Sequence, residues 1–304
     1  MKGLILLAGS LASGALAQPA RIIGAPAGSG NWPAVAEARS DAPGYTVYRP
    51  ASPPKARLPL VLWGNGGCRN NGLSVSHFLR EIASHGYIVV ANGAPGEERP
   101  PLSALPTMPR SEAPAPPPPP PATADETSVT QLLGAIDWAA RAYPQRVDTG
   151  RIAVMGHSCG GLQAIAAGAD PRIDTVVGFN SGVYNQPGSG RSRIWVTKDD
   201  LKKLHTPIAY ILGGPTDIAY PNGTDDVVRI DHVPVFLGNM DTGHGGTFAL
   251  TNGGAYGRIA VAWLDWQLKG DDKAGRMFVG PACGLCADRA WTIARRSGRR
   301  RAGS

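Results

Sequence analysis

The sequence predicts an α/β fold with a doubly wound, mostly parallel sheet in a single domain. Short continuous apolar segments such as Leu58 to Trp63 are typical of strands that are buried on both faces. Between them lie segments with apolar residues at helical spacing, such as Thr127 to Ala142. Strands that alternate with helices in this way form parallel sheets covered on both faces.

The predicted elements run in order through most of the 304 residues, without an internal repeat or a second domain. Further strands are expected at residues 45–48, 87–90, 152–155, 175–179, 208–212 and 235–237. Further helices are expected at residues 74–84, 159–169 and 256–268. The main domain is therefore expected to span residues 45–286.

The N-terminus has the pattern of a secretory signal peptide over residues 1–17. Lys2 supplies the positive charge, Leu4 to Leu7 begin a short apolar region, and Ala15-Leu16-Ala17 fits the A-x-A cleavage rule. Cleavage would leave Gln18 as the first residue of an extracellular or periplasmic protein. The alternative is a buried first helix.

Composition predicts irregular structure in two further segments. Residues 18–44 are small and rich in Gly and Pro, which predicts an irregular lead-in. Residues 95–121 hold twelve prolines, including the run from Pro116 to Pro121, and no central strand or helix tolerates that density. We expect a surface insertion here, partly polyproline II, that is either an extended loop or a rim beside a substrate cleft.

The net charge of +7 is concentrated at the C-terminus. Five arginines lie among the last ten residues: Arg295, Arg296, Arg299, Arg300 and Arg301. We expect residues 287–304 to be a disordered basic tail, either solvated or in contact with an acidic cell surface, and we expect no nucleic-acid binding. No apolar run of about 18 residues follows the N-terminus, so no membrane insertion is expected. We also expect the protein to be a monomer.

The strongest chemical signal is the segment Gly156-His157-Ser158-Cys159-Gly160, between a predicted strand and a predicted helix. This context is the one that the G-x-S-x-G nucleophile elbow requires, and only Ser158 among the serines has Gly at both −2 and +2. The sequence therefore predicts Ser158 as a nucleophile. The alternative is a Gly-rich turn without chemistry.

A serine hydroxyl needs a base, and in this motif the chain order is Ser, then Asp or Glu, then His. His244 follows the last predicted strand and is flanked by glycines, so we expect it to be the base. Asp217 follows the preceding strand and is the expected acid, with Asp225 and Asp226 as rivals in the same loop.

An oxyanion hole requires two backbone N–H groups. The first is expected from Cys159, the residue after the nucleophile. The second is expected from Asn65 or Gly66, in the loop that follows Leu58 to Trp63.

These segments together resemble the α/β-hydrolase superfamily over about residues 45–270, and are most similar to secreted dienelactone-hydrolase-like and cutinase-like serine esterases. The resemblance implies the α/β-hydrolase fold and a triad of Ser158, Asp217 and His244. Two departures leave the substrate open. Cutinase-like enzymes commonly have Met where this chain has Cys159, and dienelactone hydrolases proper have a Cys nucleophile where it has Ser158.

The function predicted is therefore hydrolysis of carboxylic esters through an acyl-enzyme, on a small or polymeric ester substrate. A polyester hydrolase, a lipase or a peptidase of the same fold is the alternative within this superfamily. A secreted binding protein without activity is the alternative outside it.

The four cysteines, an even number in an exported chain, predict two disulfides. Cys283 and Cys286 are close enough in sequence to bridge each other, which leaves Cys68 with Cys159, both flanking the expected oxyanion hole. The alternative for the second pair is two buried free thiols. No cofactor or metal is expected, because the Cys283–Cys286 pair has neither a second pair nor a His at ligand spacing.

Overall fold

A ten-stranded, mostly parallel sheet organises the chain in the computed structural model, which describes residues 20–103, 125–186 and 194–298. The strand order is β1-β2-β3-β5-β4-β6-β7-β8-β9-β10. The strands are β1 Arg21–Ala27, β2 Ala34–Ala38, β3 Tyr45–Pro50, β4 Leu58–Gly64, β5 Ile88–Asn92, β6 Val147–His157, β7 Thr175–Phe179, β8 Ile208–Leu212, β9 Val235–Asn239 and β10 Thr292–Arg296.

The parallel part of the sheet is its centre. Strands β5, β4, β6, β7, β8 and β9 pair in parallel, whereas β1, β2 and β3 at one edge and β10 at the other pair antiparallel. Because parallel strands end at the same edge of a sheet, the loops after β4, β6, β7, β8 and β9 are gathered together. The predicted α/β class with a mostly parallel sheet is thus confirmed.

Helices cover both faces of this sheet, as the buried strands require. The helices are α1 Ser76–Ser84, α2 Val129–Ala142, α3 Cys159–Ala167, α4 Tyr220–Arg229, α5 Gly254–Lys269, α6 Asp272–Gly275 and α7 Gly284–Ala287. Alternate residues of β4 face opposite cores: Trp63 joins α1 and α5 on one side, and Leu62 joins α2 and α3 on the other. Among the helices of the described residues, none is long and apolar enough to cross a membrane.

The expectation of an irregular lead-in over residues 18–44 is wrong, because β1 and β2 lie there. Alanine-rich segments such as β2 have low strand propensity, so their composition gave no signal. Yet Ala34 and Ala36 are fully buried, and their small side chains fit where β2 packs against α1.

The expectation of a disordered tail is also wrong for residues 287–298, since β10 pairs antiparallel with β9 from Thr292 to Arg296. The arginine side chains are bonded to backbone carbonyls. Arg295 donates to the carbonyl of Phe278 at 3.0 Å, and Arg296 donates to that of Val228 at 2.8 Å. The high density of arginines therefore wrongly predicted disorder for this segment.

Three other predictions fall wholly or partly outside the described residues. They are the signal peptide, most of the Pro-rich insertion and residues 299–304 of the tail. The described beginning of the insertion is bonded to the domain, because Leu102 N–H donates to the carbonyl of Ala249 at 2.8 Å.

Candidate active site

Ser158 lies in a strained turn between β6 and α3. Its backbone has φ 53° and ψ −120°, in the left-handed half of the φ range that residues with a Cβ rarely adopt. The turn is held from outside, because Ser158 N–H donates to Phe179 at the end of β7 at 3.0 Å, and Ser181 Oγ donates to the Ser158 carbonyl at 2.8 Å.

The glycines of the elbow are required by close packing. A Cβ on Gly160 would lie 2.1 Å from the carbonyl group of Gly64, and a Cβ on Gly156 would lie 2.1 Å from the carbonyl oxygen of Gly160. These approaches bring the end of β4, the elbow and the start of α3 into backbone contact. Gly at −2 and +2 therefore has a steric cause in this fold.

His244 lies between Ser158 and Asp217. Its Nε2 is 2.9 Å from Ser158 Oγ, and its Nδ1 is 2.6 Å from Asp217 Oδ1. With the proton on Nδ1 donated to the carboxylate, Nε2 is left as an acceptor for the serine hydroxyl. The three side chains follow β6, β8 and β9, so the edge where parallel strands end brings them together.

The Asp217 carboxylate is buried and fully bonded. Oδ1 also accepts from Ala219 N–H at 2.9 Å, while Oδ2 accepts from Gly213 N–H at 3.0 Å and from Asn180 Nδ2 at 2.8 Å. Burial alone would raise the pKa of this carboxyl, but the bonds from His244, Ala219 and Gly213 outweigh it and hold the pKa below its usual value. The group is thus ionised and fixed in orientation.

Asn180 is a site residue that the sequence reasoning missed. It follows β7, adopts φ 43°, and donates through Nδ2 to Asp217 and to the Gly243 carbonyl, next to His244, at 3.1 Å. It therefore links the loop of Asp217 to the loop of His244. Its position directly after a buried parallel strand was the only signal that could have found it.

His157 supports His244 from the other side. Its Nε2 is 2.8 Å from the His244 carbonyl oxygen, which can only accept, so the proton of the neutral ring is assigned to Nε2. Burial, and then the neighbouring His244, lower the pKa of His157 to about 4. This neutral ring packs edge-on against Phe248.

The two parts of the predicted oxyanion hole lie side by side. As the first residue of α3, Cys159 has no intrahelical acceptor for its N–H. Asn65 packs against the same turn, since a Cβ on Gly160 would lie 2.6 Å from its backbone nitrogen. Gly66 also lies against the elbow, where its Cβ would be 2.5 Å from His157 Nδ1.

The side chain of Asn65 holds this loop in place. It is fully buried, accepts from Trp63 Nε1 at 2.9 Å, and donates to the carbonyl groups of Arg69, at 3.1 Å, and Asn92. The amide group is therefore engaged in the structure of the loop. Any contribution to an oxyanion hole would come from the backbone of Asn65 or Gly66.

Both predicted disulfides are confirmed. Cys68 is bonded to Cys159 with a Cα–Cα distance of 5.2 Å, and Cys283 is bonded to Cys286 with a Cα–Cα distance of 4.9 Å. The first bridge joins the loop after β4 to the first residue of α3. It is a covalent link between the two parts of the expected oxyanion hole.

The rival carboxylates lie in α4 and are bonded to groups other than His244. Asp225 pairs with Arg229 at 2.6 Å and with Lys198 at 2.9 Å. Asp226 is fully buried, pairs with Lys198 and accepts from the N–H of Val183.

A small cleft of about 50 Å³ opens beside Ser158 and His244. Its remaining lining is mixed apolar and polar, from Leu162, Asn180, Ser181, Gly182, Tyr184, Ile218, Ala219 and Asn222. In the part of the chain that the structure describes, no three His, Cys, Asp or Glu side chains are grouped closely enough to hold a metal ion.

No protein-family model matches the chain, and a search of the curated proteins finds no match.

Proposed function

We propose that the chain is a secreted serine hydrolase of the α/β-hydrolase fold that cleaves carboxylic esters. The observation that carries the proposal is the hydrogen-bonded series from Asp217 through His244 to Ser158 Oγ. It stands at the edge of the sheet where the parallel strands end, on a strained strand–turn–helix unit, in the chain order expected of this motif.

Acylation begins when Ser158 Oγ attacks the ester carbonyl carbon while its proton passes to His244 Nε2. The carbonyl π-electrons move to the oxygen, and the resulting oxyanion accepts hydrogen bonds from Cys159 N–H and from the backbone of Asn65 or Gly66. A single such donor is worth roughly a hundredfold to a thousandfold in rate. Collapse of this intermediate expels the alcohol, which takes the proton from His244.

Deacylation repeats the sequence with water. His244 accepts a proton from water as the oxygen attacks the acyl carbon, and then returns the proton to Ser158 Oγ as the acid leaves. Asp217 stays ionised throughout and stabilises the imidazolium that forms at each stage. Its four hydrogen bonds and lowered pKa suit that role.

The preference for esters rests on the sequence resemblance. A polymeric ester, a lipid ester or a peptide bond could be attacked by the same side chains. A panel of p-nitrophenyl esters of different acyl length, a solid polyester and a peptide substrate would separate these possibilities. Turnover of the peptide alone would replace the esterase assignment by a peptidase.

The first prediction tests the nucleophile. Ser158→Ala removes the attacking oxygen, so ester turnover is expected to fall by about a millionfold while the fold is retained. The measurement is hydrolysis of a p-nitrophenyl ester together with covalent labelling by a fluorophosphonate. Ser52→Ala, which changes an exposed serine before β4, is the matched control and should behave as wild type.

Two outcomes would contradict the proposal. Turnover above a few per cent in purified Ser158→Ala would remove Ser158 as the nucleophile. A wild-type protein that neither labels nor hydrolyses any substrate of the panel would instead support a secreted binding protein. Mass spectrometry of the exported chain checks the proposed processing, which predicts Gln18 as its first residue.

A further inference from the structure

The cleft beside Ser158 has a wall built from two separate segments. One segment follows β7 and contributes Ser181, Gly182 and Tyr184 to the lining. The other comprises the end of the loop before α4 and the first turn of that helix, and contributes Ile218, Ala219 and Asn222. The width of the cleft therefore depends on what holds these two segments together.

Asp226, one turn beyond Asn222 in α4, bonds directly to the first segment. Its Oδ2 accepts from the N–H of Val183, between the lining residues Gly182 and Tyr184, at 2.8 Å. The same oxygen accepts from the hydroxyl of Tyr210 in β8 at 3.1 Å. The carboxylate thus connects the wall to α4 and to the central sheet.

Lys198 completes the arrangement on the other carboxylate oxygen. Its Nζ is 2.6 Å from Asp226 Oδ1 and also donates to the carbonyl of Asn222, a lining residue, at 3.1 Å. Asn222 in turn accepts, through Oδ1, from the N–H of Asn185 at 3.1 Å. The bonds from Val183 to Asp226 and from Asn185 to Asn222 join the two segments, while Lys198 holds Asp226 and Asn222 in place within α4.

The two segments meet without a gap at Gly182 and Gly223. A Cβ on Gly182 would lie 2.2 Å from the backbone nitrogen of Gly223, so the two backbones are in direct contact. Any loosening at Asp226 would separate them and widen the cleft. The cleft is small, at about 50 Å³, so a slight separation of the two segments would enlarge it by a large fraction.

A buried carboxylate is an expensive way to join a helix to a loop, because an apolar contact of the same size avoids the desolvation of the charge. Burial raises the pKa of Asp226 to about 6, although Lys198 and the hydrogen bonds favour its ionised form. The carboxylate accepts directional hydrogen bonds from three different segments, through Val183, Lys198 and Tyr210. An apolar side chain could not form these bonds.

We propose that Asp226 is a positioning residue that sets the width of the substrate cleft and so restricts the substrate group bound beside Ser158 to a short one. The inference rests on the proposed ester hydrolysis. It adds to it a substrate class, esters in which the group that enters this cleft has only a few non-hydrogen atoms. Asp226 acts through Val183 and Asn222 and has no contact with the reacting atoms.

The test compares steady-state hydrolysis of p-nitrophenyl acetate and p-nitrophenyl octanoate. In the wild type, acetate is expected to be the better substrate. Asp226→Ala removes the acceptor of Val183, so KM for acetate is expected to rise about tenfold with a much smaller change in kcat, as a loss of uniform binding requires. The ratio of kcat/KM for acetate to that for octanoate should fall by a similar factor.

Two variants separate positioning from general damage. Asp226→Asn keeps one acceptor oxygen for Val183 and Tyr210 but turns its amide N–H toward Lys198 Nζ, so its KM and selectivity should lie between those of the wild type and of Asp226→Ala. Asp225→Ala removes the neighbouring carboxylate, which pairs with Lys198 and Arg229 outside the cleft, and should retain the wild-type KM and selectivity. Amide hydrogen exchange at Val183, slow in the wild type and faster in Asp226→Ala, provides a readout that does not depend on activity.

The outcomes distinguish this inference from the proposed function. An Asp226→Ala variant with wild-type KM, selectivity and Val183 exchange would overturn the inference and leave the function intact. A wild type without ester turnover would overturn the proposed function. Fast exchange of its Val183 amide would also overturn the proposed role of Asp226 in holding Val183 in place.

If Asp226→Ala does not fold, the double variant Lys198→Met, Tyr210→Phe is used instead, because it removes two of the donors to Asp226. Its selectivity between acetate and octanoate should shift in the same direction. Unchanged selectivity in this double variant would contradict the inference.

Discussion

Ser158, Asp217 and His244 are far apart in the chain and meet because each follows a strand of the same parallel sheet. Motif, chain order and strand position were enough to nominate all three from the sequence. Asn180 could not be nominated in this way, since an asparagine after a strand has no motif. Its role depends on a left-handed backbone conformation that only the folded chain reveals.

The choice between Asp217 and the rival carboxylates leads to a further kinetic prediction. In the proposed mechanism, Asp217→Asn would remove the charge that stabilises the His244 imidazolium and would favour the wrong tautomer, so kcat is expected to fall by roughly ten-thousandfold. Asp225→Asn, in a carboxylate paired with Arg229, should change kcat little. Steady-state kinetics of both purified variants makes the measurement, and a mild Asp217→Asn with a damaging Asp225→Asn would move the acid role into α4.

At the scale of elements, continuous apolar runs predicted the central strands best. The predicted limits of β7 and β8 match the structure, because both are five-residue segments buried along their whole length. The helix α4 was missed because Pro221 and Gly223 lie in its first turns and are typical of a loop. Proline is tolerated there, and Gly223 is required by its contact with Gly182, which no local pattern encodes.

The Cys68–Cys159 disulfide joins two elements whose contact defines the proposed oxyanion hole. Replacing both cysteines by Ala frees a loop of 91 residues, which in the chain-entropy model lowers the free energy of unfolding by up to about 4–5 kcal/mol. A lower kcat is also expected, since Cys159 N–H and the loop after β4 lose their covalent link. Chemical denaturation and ester kinetics measure the two effects.

The second disulfide is the matched control for this prediction. Cys283 and Cys286 close a loop of sequence separation 3 near the C-terminus, for which the same model gives only about 2 kcal/mol. Their double replacement by Ala should leave kcat unchanged. If the two double variants lost stability and kcat equally, the first bridge would have no special connection with the site.

At the scale of the whole molecule, the two edges of the sheet were the least predictable part of the fold. Burial on both faces gives central strands a continuous apolar signal, and edge strands lack it. The strand β1 is mostly exposed, and β10 consists largely of exposed residues that include two arginines. The high sequence pI of 9.4 therefore reflects, in part, charge on an ordered edge strand.

The edge strand β10 gives the last prediction. Truncation after Asp288 removes β10 and the buried Trp291, whose side chain belongs to the core shared with α5. Loss of a buried aromatic side chain alone costs about 3–5 kcal/mol, so the melting temperature should fall by several degrees or more. Since β9 leads into the loop that carries His244, kcat should fall as well.

Truncation after Gly298 is the control for β10, because it removes residues 299–304, including three arginines, and leaves the strand in place. Its melting temperature and kcat should equal those of the full chain, as measured by circular dichroism and ester hydrolysis. The comparison separates the strand from the charge that follows it. Equal melting temperatures for the two truncated chains would show that β10 does not stabilise the sheet. Residues 289–298 would then contribute no more to stability than the disordered tail that the sequence predicted.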